Sequence, residues 1–123
     1  MNIAIQTAGA LRKVEIFARA SEEYEHKPDA AGGIKLGHKT HKLRKIMSAL
    51  GKTAKKDAKD KYPGKAETAA RSDLAAQLLV DLIRQSTLLD SAGKHWVLAE
   101  LVRKHSREQG GAGEDAAGND ADD

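Results

Sequence analysis

The chain has 123 residues, enough for one compact domain with a modest core and too few for two. Aromatic residues are only 3% and Cys is absent, which excludes disulfides, thiolate zinc sites and cysteine nucleophiles and leaves Leu, Ile, Val and Ala to fill the interior of packed helices. The net charge of +3 conceals a segregation: residues 31–66 hold eleven basic and two acidic groups, whereas residues 110–123 hold five acidic groups and no basic one.

The first helix is predicted over residues 3–25, where Ile3, Thr7, Ala10, Leu11, Val14, Phe17 and Ala18 return at the spacing of a helical face. Its start, "MNIAIQTAGALRKVEIFARA", places no basic segment ahead of an apolar one, and no apolar run approaches the roughly 20 residues of a bilayer span. A cytoplasmic setting without a membrane partner is therefore expected, and the missing Cys fits a reducing compartment. Lys27-Pro28 and the following "DAAGG" predict a turn between residues 27 and 35.

A second helix is predicted over residues 37–60. Leu36, Thr40, Leu43, Met47, Leu50, Ala54 and Ala58 form a narrow stripe, joined by Ile46 and interrupted by Gly51 at a cost of about 1 kcal/mol against Ala. "KYPGK" ends the helix in a tight turn. The third helix, over residues 65–89, is the most apolar. Leu74, Ala75, Ala76, Leu78, Leu79, Val80, Leu82 and Ile83 cover about two thirds of its circumference, which predicts a central position. Asp73, Gln77, Asp81, Arg84 and Gln85 share its remaining strip. So much apolar surface also leaves room for a second copy of the chain, a homo-oligomer.

Asp90 or Ser91 is suited to cap a fourth helix over residues 92–108, with Val97, Leu98, Leu101, Val102 and His105 on its inner face. After Gln109 the composition becomes Gly, Ala and acid with nothing to bury. The expectation is an all-α domain over residues 1–109, a small bundle of about four helices, followed by a disordered acidic tail over 110–123. That tail either solubilises the chain or competes for its basic face.

The basic second helix carries the strongest functional signal. Lys42, Lys45, Lys52, Lys55, Lys56 and Lys59, with Arg44, His38 and His41, are expected on the arc opposite Leu43, Met47, Leu50 and Ala54, and Lys39 joins them as a candidate polyanion contact. Such a face suits a nucleic-acid backbone or another polyanion, which releases counterions on binding. The plainer reading is a solvated helix with Asp57 and Asp60 for local pairing. Many Lys and a single Arg predict contact without base reading, because bidentate recognition of bases favours Arg, Asn or Gln.

Two other readings compete. The same face suits an acidic protein surface, making the chain an adaptor or inhibitor, with Trp96 either an anchor for the partner or a cover for a neighbouring helix. The acids of "SEEYEHK" and "RSDLAAQLLVDLIRQS", on adjacent helices, give a profile that resembles the MazG-like all-alpha nucleotide pyrophosphatases. That resemblance implies magnesium-dependent nucleotide hydrolysis. The motifs depart from it: Tyr24, Glu25 and His26 follow Glu22 and Glu23, and Ala70 and Leu78 stand three before Asp73 and Asp81, where the family places acids. No catalytic residue, cofactor or metal is assigned. His38 and His41 stand three apart, but the surrounding lysines repel a cation.

Overall fold

Helical periodicity resolves into four α-helices in the computed structural model, which describes residues 2–25 and 39–109. α1 (Asn2–Ser21) runs into a 3₁₀ turn (Glu22–Tyr24). α2 spans Thr40–Lys61, a second 3₁₀ turn (Lys65–Glu67) leads into α3 (Thr68–Gln85), and α4 spans Ser91–Gln109. Among the described residues there is no strand, and no helix is long and apolar enough to cross a membrane. The predicted turn at 27–35, His38 and the acidic tail lie outside the described residues, as do the side chains of Ile3, Thr7 and Ala10.

Polar groups from nearby in the chain close both ends of the α3–α4 connection and the turn between α2 and α3. The Asp90 Oδ1 accepts the Gly93 N–H at 2.7 Å, the predicted cap of α4. Gly93 is buried, and a Cβ there would lie 3.1 Å from the capping Asp90 Oδ1 and 3.3 Å from Leu89, so the missing side chain leaves room for the cap itself. Lys94 Nζ donates to the Arg84 carbonyl at 2.6 Å and so closes the C-terminal end of α3. In the "KYPGK" turn, Arg71 Nη1 donates to the carbonyls of Tyr62 at 2.6 Å and Gly64 at 3.1 Å. Glu67 accepts the Gly64 N–H at 2.8 Å.

The contacts between helices fix their directions. Arg12 bonds Asp73, and Arg84 bonds Glu23, both across a separation of 61 residues, so α1 and α3 run parallel. Phe17 stacks on His105 while Tyr24 meets Lys94, so α1 and α4 run antiparallel. α1 packs chiefly on α4 and α2 chiefly on α3, with α1 also lying against α3. The shared core takes Phe17 and Ala20 from α1, Leu43, Ile46 and Ala54 from α2, Leu79, Val80 and Ile83 from α3, and Val97, Leu98 and Leu101 from α4. Full burial of a side chain such as Phe17 or Leu98 contributes roughly 1.5–3 kcal/mol.

Two expectations about faces are corrected. Leu11, predicted inward, is 52% exposed, while Lys13, Ile16 and Ala20 turn toward neighbours, because α1 meets α4 on a face rotated from its most apolar arc. α3 is not central: α2 and α1 cover two of its sides, α4 touches it little, and Leu74, Leu78 and Leu82 remain half-buried. Along its polar strip, Asp73, Asp81 and Arg84 bind side chains of α1 and its 3₁₀ extension or of one another.

Candidate polyanion interface

The inner side of α2 holds Leu43, Ile46, Ala54 and Ala58 buried, with Met47, Leu50 and Gly51 half-buried, as predicted, whereas Thr40 at its start is exposed and Leu36 lies outside the described residues. A stripe at alternating steps of three and four leaves an equally straight outer line. Lys42, Lys45, Lys52, Lys56 and Lys59 occupy that line and all are exposed. At a rise of 1.5 Å per residue they span about 25 Å. Lys39, which precedes the helix, and Lys55, on its flank, are exposed as well.

The row is largely uncompensated. Lys56 pairs with Asp60 at 3.7 Å with both side chains mostly in water, a contact worth at most about 0.5 kcal/mol. Among the described residues no ion pair engages Lys42, Lys45, Lys52, Lys55 or Lys59. Gly51 does not break the helix: α2 runs through it, and a Cβ built there would meet nothing within 4 Å.

Arg44 lies apart from the lysines. Its guanidinium sits 5.6 Å from the centre of the Trp96 ring and 3.6 Å from a Glu100 carboxylate oxygen, on the side of α2 that faces α4. Arg103 holds the same Glu100 from the next turn of α4. Helical spacing alone puts Arg44 with the lysines, but it sits near the edge of the buried arc, where the neighbouring helix decides its partners. Trp96 is half-buried, packs against the core and covers α2 through Arg44. His41 is exposed. His105 is half-buried at the margin of the core, its ring 5.5 Å from that of Phe17 at an interplanar angle of 18°.

Three of the acids that resembled a magnesium site, Glu23, Asp73 and Asp81, are held by arginines. Arg84 grips Glu23 with two bonds, Nε to Oε1 at 3.0 Å and Nη2 to Oε2 at 2.5 Å, and reaches Asp81 with Nη1 at 3.2 Å. The Glu23 hydrogen bond raises the Arg84 pKa above its ordinary value against a smaller opposing effect of burial. Asp73 accepts from Arg12 Nε at 2.9 Å and from Gln77 at 2.8 Å. Guanidinium groups thus stand among the carboxylates where a cation would have to sit. Among the described residues no three His, Asp or Glu side chains gather to hold a metal ion.

Sequence reasoning missed Arg71 and Lys13, which join Lys55 and Lys59 around a cleft between helices. The only local signal was the run of small residues, Gly51, Ala54, Ala75 and Ala76, on helices that pack together. Comparison with protein-family models, with curated proteins and with solved structures finds no match for this chain.

Proposed function

We propose that the chain is a small, non-catalytic binding protein whose α2 contacts a nucleic-acid backbone through Lys42, Lys45, Lys52, Lys56 and Lys59, with Lys39 and Lys55 at the edges. One observation carries this reading: an exposed lysine row about 25 Å long with a single ion pair drawn from it. The arrangement opposes stability. Five Lys pairs stand three or four apart on α2, namely 42/45, 52/55, 52/56, 55/59 and 56/59, and each like-charge pair costs about 0.2–0.5 kcal/mol. Alternating Lys with Glu would keep the helix equally soluble without that cost.

The contact is one of charge and not of sequence. Lys presents a point charge with no fixed fork for base edges, and Arg44, the one Arg of the segment, is held by Trp96 and Glu100. Titration of unrelated DNA and RNA oligomers across a range of salt, read by fluorescence anisotropy, tests this. If five lysines meet phosphates, log K against log salt has a slope of about −4 to −5 for duplex DNA and about −3.5 for single strands, with little difference between sequences. Absence of binding at low salt, with retention of an acidic polypeptide, would instead favour an acidic protein partner.

A further inference from the structure

α1 pairs with α4 and α2 with α3, so α1 and α2 touch little and a cleft of about 320 Å³ remains between them. Its floor is Phe17, Gly51, Ala54, Ala75, Ala76 and Leu79. The space persists because Gly and Ala occupy places that larger side chains would fill. Lys13 stands on one bank, Lys55 and Lys59 on the other, and Arg71 at the end beside the turn, while among the described residues no Asp or Glu lines the cleft. Among the described residues Lys13, Lys55 and Lys59 have no carboxylate partner. Arg71 gives its N–H groups to two carbonyls and the Thr68 hydroxyl, which fix its position without neutralising it.

We propose that this cleft binds a small organic anion with an apolar body, of the class of a medium-chain or aromatic carboxylate. The volume falls in the range of small-molecule sites, about 300–1,000 Å³. The apolar floor removes a hydrocarbon body from water, and four cations at the rim attract a single anionic group. A bare phosphate satisfies the rim and leaves the floor wet; an alcohol of the same length does the reverse. The proposal does not depend on the nucleic-acid reading, although Lys55 and Lys59 border both surfaces and a bound anion would lower the charge of the α2 row. The chain's own "GGAGEDAAGNDADD" segment offers charge without a side chain large enough to cover Phe17 and Leu79.

The full-length protein labelled with nitrogen-15 is titrated with decanoate, decanol and inorganic phosphate, and amide shifts are followed by NMR. Decanoate is expected to give saturable shifts at Gly51, Ala54, Ala76 and His105, with decanol and phosphate weaker by about tenfold or more. Gly51→Leu fills the floor from a helix position that prefers any side chain to none. It is expected to weaken decanoate by about tenfold or more while circular dichroism and Tm are kept. Lys13→Gln with Lys59→Gln weakens decanoate and leaves decanol unchanged. Three results would overturn the proposal: shifts on another surface or none, undiminished decanoate binding by a folded Gly51→Leu protein, or equal shifts from a free GGAGEDAAGNDADD peptide.

Discussion

The outer row of α2 and the seam between α1 and α3 are both charged strips on helices, yet they end in opposite states. Along the seam, Arg12 meets Asp73 and Arg84 meets Glu23 in near-ideal geometry. On α2, five exposed lysines share one weak ion pair. The difference lies in what the next element brings. α1 and its 3₁₀ extension carry the opposite sign to the α3 groups they face, whereas nothing among the described residues packs over the α2 row. A charged strip in a sequence therefore has no fixed meaning until its neighbour is known.

Breaking the α2 side of this comparison gives the largest effect. Reversing Lys52, Lys55, Lys56 and Lys59 to Glu is expected to reduce DNA and RNA affinity by more than about 100-fold at low salt, with helicity by circular dichroism nearly unchanged. Retained affinity would leave the row as a solvated face. Breaking the seam acts on stability instead. Arg84→Ala removes the grip on Glu23 and Asp81, but Arg84 is 42% exposed, Glu23 41% and Asp81 55%, and solvent screens the pairs, so the loss is at most about 1 kcal/mol in urea unfolding. Nucleic-acid affinity should not change.

Gly51→Ala sharpens the comparison by stiffening the lysine helix without touching its charge. The new Cβ meets nothing within 4 Å, and stability should rise by about 1 kcal/mol with affinity constant. A change in affinity would mean that the row works by bending. The smallest effect concerns pH. Burial raises the Tyr24 phenol above its ordinary value near 10, with Glu23 adding to the shift and Arg84 opposing it. The folded chain thus prefers the neutral phenol. That contribution is intact below pH 10 and is lost as the pH climbs through the raised value. Tyr24→Phe should flatten the alkaline limb of the stability profile.

The four helices, the cap at Asp90 and the inner residues Val97, Leu98 and Leu101 were legible because each rests on local spacing or local hydrogen bonding. The outer line of α2 was legible for the same reason. What escaped depends on partners far along the chain. Leu11 is apolar and well spaced, but α4 meets a different arc of α1. Arg44 reads as one more cation until Trp96 and Glu100 arrive from α4. Arg71 reads as a surface residue until the turn it follows offers two carbonyls. The cleft is a gap between elements, and only the run of Gly and Ala hints at it.

The equal separation of 61 residues in the two α1 to α3 bonds makes them behave as a pair of pins in one ruler. Sliding α1 by one helical turn, about 5.4 Å, would pull both pins at once, so a misaligned assembly forfeits two contacts and gains neither. A residue inserted between Arg12 and Glu23 would rotate one pin by about 100° relative to the other and could satisfy only one of them. A residue inserted between Glu23 and Asp73 shifts the count for both pins alike and leaves their relative spacing on each helix untouched. These two pins therefore leave the length of chain between their helices free to drift, and within that length it is the buried stripe of α2, not the pins, that fixes the count.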